Sequence, residues 1–284
     1  MIYRIENDSM YAEINSLGAE LYALGTKNPL REYLWQGDPA VWDGRSPILF
    51  PTIGRLLDDH YRYNGKAYTQ PKHGFARMSE FACLSCEGDK AVFALESNDE
   101  TRANYPFEFV LRIEYSLSED GLTVDHVVQN KSEGEMYFSL GAHPGFQCEL
   151  GDWLEFSQPE TICTERIDTA DAYLIDERFS LLENESKIEI TKEIFELDAL
   201  ILSGFRSDTI TLKSARHPHE VAFSLGGAPY LGIWAKPGAK YVCIEPWHGV
   251  NDCREPKADI GQKRGINRLE KDGEFQFAWM AQLR

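Results

Sequence analysis

Three short stretches carry residue types that could do proton chemistry. In Leu140-Gly-Ala-His-Pro-Gly-Phe146, Pro144 restricts the backbone of His143 to an extended conformation. Gly141 and Gly145 clear side-chain bulk from either side of it, as happens where something must approach the backbone closely. In Lys240-Tyr-Val-Cys-Ile-Glu-Pro-Trp-His-Gly-Val250, Glu245 stands just before Pro246 and apolar Trp247, which reads as a carboxylate fixed at the end of a strand. In Pro71-Lys-His-Gly-Phe-Ala-Arg77, His73 again precedes a glycine, with Lys72 and Arg77 close by. A carboxylate and an imidazole, with reference pKa values of about 4.3 and about 6.5, suit coupled proton transfer, because their surroundings can push them apart. A turn histidine beside two glycines would show the same residues around position 143, so the pattern leaves a structural role open.

The elements that must hold these groups read as strands. Met136, Phe138 and Leu140 alternate with Tyr137 and Ser139, the two-residue period of a half-buried strand. Continuing that parity puts His143 on the Tyr137 and Ser139 side. Short alternating runs recur at Ile2 to Ile5, Met10 to Ile14, Glu20 to Leu24, Glu80 to Cys86, Ala91 to Glu96, Phe107 to Leu117 and Leu122 to Gln129. Others follow at Trp153 to Phe156, Ile162 to Ile167, Thr209 to Lys213, Glu220 to Leu225, Leu231 to Ala235 and Glu274 to Leu283. Asn64-Gly65, within Tyr61 to Tyr68, is a strong hairpin signal. Thr169 to Lys187 is polar, acidic and weakly periodic, which reads as loop with one helical turn. Pro246 is expected to end the strand that begins near Tyr241. No amphipathic helix of ordinary length and no fixed-period repeat is visible, so the expected fold is all-β, a large antiparallel β-sandwich. No composition break suggests a boundary, so residues 1–284 are expected to form one domain.

Composition narrows the partners. The chain of 284 residues is 43% hydrophobic and carries a formal net charge of -17, which argues against nucleic acid and anionic membranes. No apolar run approaches the roughly 18 residues of a membrane helix. The N-terminus lacks the marks of a signal peptide, so a cytoplasmic location is expected. The six cysteines are read as reduced thiols, since the spacing of Cys83 and Cys86 has neither a second pair nor a βαβ context. His217-Pro-His219 has the spacing of two metal ligands but no third ligand near in sequence, and no metal is expected there. Asp198 lies among apolar neighbours, where a carboxylate needs a partner; a loop position just outside the core would also fit. A Ser-His-Asp arrangement, a glycine-rich phosphate loop and a dinucleotide fingerprint are all missing.

Phe50-Pro-Thr-Ile-Gly-Arg55, Lys72-His-Gly-Phe-Ala-Arg77, Gly141-Ala-His-Pro-Gly-Phe146, Leu197-Asp-Ala-Leu200 and Ile244-Glu-Pro-Trp-His-Gly249 resemble, in that order, the motifs of the aldose 1-epimerase (galactose mutarotase) family, nearest to its LacX-like branch. The resemblance implies a β-supersandwich with a sugar cleft, no cofactor, and interconversion of the α and β anomers of an aldohexose. It implies that Glu245 is the general base and His143 the general acid. It also implies that Arg55 and His73 bind sugar oxygens and that Asp198 accepts hydroxyl hydrogen bonds. Arg77 and Lys72 could instead serve a phosphate. The His-Gly-Phe-Ala-Arg stretch is nearer to the hexose-6-phosphate epimerase branch, and Ala142 replaces a residue that is often polar in galactose-specific members. Trp35, Trp234 and Trp247 could each offer a ring to the apolar face of a sugar. A carbohydrate-binding protein of the same fold without turnover is the alternative from another class, and a glycoside hydrolase would normally need two carboxylates.

Overall fold

A computed structural model describes residues 1–255 and 259–284. Its main sheet runs in the order Ile48–Leu49, Leu140–Ala142, Tyr241–His248, Tyr230–Trp234, Leu200–Ser203, Trp153–Glu165, Thr209–Lys213, Val221–Ser224, Glu274–Leu283, Gly121–Asn130, Phe109–Leu117, Lys90–Glu96 and Ala82–Glu87. Gly145–Gln147 adds to Tyr241–His248, and Phe179–Glu189 adds to Trp153–Glu165. Neighbouring strands pair antiparallel along the sheet. A separate sheet of Ile2–Glu6, Met10–Asn15, Glu20–Lys27 and Leu30–Glu32 packs onto the same core.

The two ends of the sheet pack against one core. Phe50, next to the first strand of the order, has its ring 5.1 Å from that of Phe109, near the other end. Phe138, Phe223 and Trp279 are buried in the same apolar cluster. Burying such faces is the main favourable term in folding, at about 25 cal/mol for each Å² of apolar surface removed from water. Phe109–Leu117 alternates buried and half-buried along its whole length, as a strand with one face on a core must. At the Tyr61–Tyr68 hairpin, Asn64 and Gly65 have φ values of 49° and 76°, the left-handed pair that a two-residue hairpin turn requires.

Four expectations change. Met136 to Leu140 is not one strand: Met136–Phe138 pairs with Asn267–Leu269, and Leu140–Ala142 joins the main sheet. Ser139 lies between them, fully buried, so the parity drawn from Tyr137 does not carry through to His143. Trp153–Glu165 is a single long strand with register shifts rather than two. Its partner Phe179–Glu189 falls where a loop was expected; it is an edge strand with few buried residues, so it lacks the apolar alternation that marks a strand. The fourth is Pro246, which sits inside the strand Tyr241–His248 instead of ending it. The one α-helix among the described residues is Asp99–Asn104, capped reciprocally by Asn98 and Thr101. No helix among the described residues is long and apolar enough to cross a membrane.

Candidate active site

The strand Tyr241–His248 explains how a proline can lie within a sheet. On one side it pairs continuously with Tyr230–Trp234. On the other it meets two short strands, Leu140–Ala142 and Gly145–Gln147, with His143 and Pro144 between them. Proline offers no N–H to a ladder, so it is tolerated only where the ladder is already interrupted. Pro144 and Pro246 both fall at this interruption. The pairing of Gly141 with Trp247 and of Gly145 with Cys243 keeps one register across it, which sets His143 directly opposite Glu245. Directly opposed residues in an antiparallel pair project to the same face.

His143 Nε2 and Glu245 Oε2 are 3.2 Å apart, and Glu245 is 1% exposed. Their approach lies off the hydrogen-bond axis: Glu245 Oε2 and His143 Nδ1 are both buried without a hydrogen-bond partner among the described residues. Burial pushes the His143 imidazole down to about 3, helped by the charges of Lys72 and Arg77. Burial also pushes the Glu245 carboxyl well above the usual carboxylate range, and the charge of Asp198 adds to this. Each group resists carrying a charge alone.

Around this pair lies a cleft of about 230 Å³, walled by Trp42, Lys72, His73, Arg77, Asp198, Trp234, Trp247 and Asn251 among others. That is below the roughly 300–1,000 Å³ of pockets for drug-sized ligands, so it suits a small one. Trp42 lies over the His143 ring at 5.2 Å, and Trp234 meets the same ring edge-on at 5.7 Å. Trp247 is held between two glycines. A Cβ on Gly141 would come within 2.8 Å of its indole, and one on Gly232 within 2.6 Å. The close approach expected at Gly141 and Gly145 is therefore made by Trp247 and Trp42.

His73 enters from the loop after the hairpin, with φ 69°. Its Nδ1 accepts a hydrogen bond from the Gly54 N–H at 3.1 Å, so Nδ1 is unprotonated and Nε2 carries the proton. Burial keeps the ring neutral. Asp198 is half-buried at a turn with φ 57°, and its Oδ1 accepts from the Ala199 N–H at 2.7 Å. Arg77 donates to the Lys72 carbonyl at 3.2 Å, while its Nε is buried without a partner.

The structure thus gathers His143, Glu245, His73, Arg77, Asp198 and Trp234 around one cleft. Arg55 is not among its lining residues. Its guanidinium is taken up by Asp59 at 2.9 and 3.0 Å and by the Asp171 carbonyl at 3.1 Å. Trp35 also stays outside: it donates to the Trp42 carbonyl and packs on Tyr241. His217 has Arg31 at 3.3 Å from its Nε2, a poor setting for a cation. Sequence reasoning missed Trp42, whose irregular segment carries no local signal. It also missed Asn251, whose buried Oδ1 and Nδ2 both lack partners among the described residues. A polar residue soon after the Glu245 motif was the one available hint.

Comparison with known proteins places the chain in a family and a fold. The aldose 1-epimerase family model matches residues 1–258. The chromosomal and plasmid LacX proteins of Lactococcus lactis subsp. lactis are each 30% identical over 285 residues, covering 95% of both chains. The structure of a galactose mutarotase related enzyme from Lactobacillus acidophilus superposes with a TM-score of 0.95 at 32% identity, covering 100% of this chain and 97% of that one. A galactose mutarotase-like protein from Lactobacillus casei gives 0.94 at 28% identity, with all of both chains covered. The fold is the galactose mutarotase-like β-sandwich, and the chain belongs to the aldose 1-epimerase family.

Proposed function

We propose that the chain, acting as one domain, is an aldose 1-epimerase that interconverts the anomers of an aldohexose with Glu245 as general base and His143 as general acid. The observation that carries this reading is the facing pair itself: two buried groups 3.2 Å apart, with Glu245 Oε2 lacking a hydrogen-bond partner. Buried polar groups are normally satisfied, so unpaired ones at a cleft call for a polar ligand. Asn251, Trp247 Nε1 and Arg77 Nε add to the count. A sugar ring offers hydroxyls for all of them and an apolar face for Trp42 or Trp234.

In the reactive state Glu245 is ionised and His143 protonated. Glu245 takes the proton of the anomeric hydroxyl as His143 gives one to the ring oxygen. The bond between C1 and the ring oxygen breaks, leaving an aldehyde, a neutral carboxyl and a neutral imidazole. Rotation about C1–C2 presents the other carbonyl face, and reversal of both transfers closes the other anomer. The pair changes from an ion pair to a neutral pair and back, with no change in net charge. Burial opposes either charge alone, so concerted transfer is favoured over two separate steps. His73 Nε2–H and the free oxygen of Asp198 orient the hydroxyls.

A second reading is the same chemistry on a hexose 6-phosphate, favoured by Lys72 and Arg77 at the cleft. Anomer exchange followed by NMR on glucose, galactose and their 6-phosphates tests both. Acceleration with a free hexose supports the first. A preference for a 6-phosphate that weakens with salt supports the second. Binding of sugars without acceleration of any would overturn both and leave a carbohydrate-binding protein.

A further inference from the structure

Cys243 shares the strand and the face of Glu245, two residues away, and takes no part in the sugar chemistry. Its Sγ, a ring nitrogen of His143 and a carboxylate oxygen of Glu245 all lie within 4.8 Å of one another, and all three residues are buried. We propose that these three side chains form a site for a thiophilic divalent cation, of which Zn²⁺ is the chemical match, and that the cation blocks the cleft reversibly. The blocking part rests on the catalytic reading above; the binding part does not.

The donor set favours zinc over hard cations, because thiolate and imidazole are its preferred ligands and magnesium and calcium seek oxygen. Bond lengths of about 2.0–2.3 Å in a tetrahedron put neighbouring ligand atoms roughly 3.3–3.6 Å apart. His143 Nε2 and Glu245 Oε2, at 3.2 Å, already stand at that spacing. Cys243 Sγ lies within 4.8 Å of a ligand atom of each. A Cβ on Gly145 would come within 3.4 Å of that sulfur and 2.9 Å of Trp42, so the glycine lets the sulfur and the Trp42 ring pack against the same stretch of backbone. Glu245 Oε2, buried without a hydrogen-bond partner among the described residues, supplies a ligand atom that breaks no hydrogen bond on binding. On binding, the Cys243 S–H bond and the O–H bond of a protonated Glu245 break, both protons leave to buffer, and sulfur–metal and oxygen–metal bonds form. His143 and Glu245 line the cleft, so a water or a sugar hydroxyl there would supply the fourth ligand. The cation would hold both the acid and the base, so sugar turnover and metal occupancy exclude each other.

The test uses the full metal-free chain with Co²⁺ as a spectroscopic probe and Zn²⁺ as competitor. One Co²⁺ per chain, with a thiolate-to-cobalt charge-transfer band that Zn²⁺ abolishes, is expected. The band should vanish in Cys243→Ser and in Cys243→Ala, either of which serves if the other fails to fold. It should persist when Cys83 and Cys86 are both changed to serine. No thiolate band in the wild type, or a band that survives loss of Cys243, would overturn the site. In the activity arm, Zn²⁺ should slow anomer exchange, a chelator should restore it, and Cys243→Ser should turn over sugar with at least tenfold weaker inhibition. Metal binding that leaves an active protein uninhibited would contradict shared ligands. A protein that turns over no sugar would leave the cobalt spectrum to decide the site.

Discussion

His143 and Glu245 lie opposite each other across an interruption in the sheet, with Pro144 between two short strands on one side and Pro246 within the strand on the other, and with Nε2 and Oε2 3.2 Å apart. Each proline removes a backbone donor where the ladder already fails, so the break costs few hydrogen bonds and frees two facing side chains. The glycines flanking the break admit the rings that wall the cleft.

Glu245→Gln should abolish turnover and stabilise the fold. Burial, with Asp198, raises the folded pKa of Glu245 above its unfolded value. Its contribution to stability is therefore present below the unfolded pKa of about 4.3 and is lost as pH rises toward the folded one. The amide has no charge to bury. A thermal melt at pH 7 is expected to rise by at least about 2 °C, with kcat/KM down by at least about a hundredfold. A lower melting temperature would contradict the burial penalty.

Acid should weaken the fold through His126. It is 1% exposed, packs on Phe277 with His248 nearby, and burial lowers its pKa to about 4. The unfolded chain takes up a proton near pH 6.5 and the folded chain does not, so stability falls as pH drops from 6.5 to 4. His126→Gln should remove up to about 1.4 kcal/mol per pH unit of that slope. Urea midpoints across this range measure it, and an unchanged slope would sink the assignment.

Asn251→Leu, close to isosteric, should raise KM roughly tenfold while leaving stability equal or higher. The amide is buried with both polar atoms unpaired among the described residues, so in the free protein it contributes a desolvation penalty without a compensating hydrogen bond from them. Steady-state kinetics and a urea melt read the two effects separately. An unchanged KM would show that the amide does not meet the sugar.

The ring of His73 should be found as the Nε2–H tautomer at neutral pH. Nitrogen-15 NMR distinguishes the two ring nitrogens, and a protonated Nδ1 would contradict the hydrogen bond from Gly54.

Much of the fold was legible because its strands have one apolar face. Phe109–Leu117 and Gly121–Asn130 declare themselves by alternation and by the turn between them. Phe179–Glu189 did not, because an edge strand facing water needs no apolar face. The motifs around His143, Glu245 and His73 could be read locally, since proline and glycine restrict or clear the backbone beside them. Their convergence could not, because it depends on a register shared by strands far apart in the chain. Arg55 shows the converse limit: a cation after Gly54 looks free in sequence, yet Asp59, four residues on, takes it. Trp42 reaches the cleft from a segment whose local pattern points nowhere, and Asn251 from one whose only hint is a polar residue soon after the Glu245 motif.

The central claim is that His143 and Glu245 act as one acid–base pair, and a double-mutant cycle on anomer exchange tests it most directly. His143→Ala, Glu245→Ala and the double variant would be compared with wild type by kcat/KM on the preferred sugar. Groups that act as a unit lose their effect together, so the double variant should lose about as much as either single one, each at least about a hundredfold. Losses that multiply, or a single variant that keeps near wild-type exchange, would contradict a coupled pair.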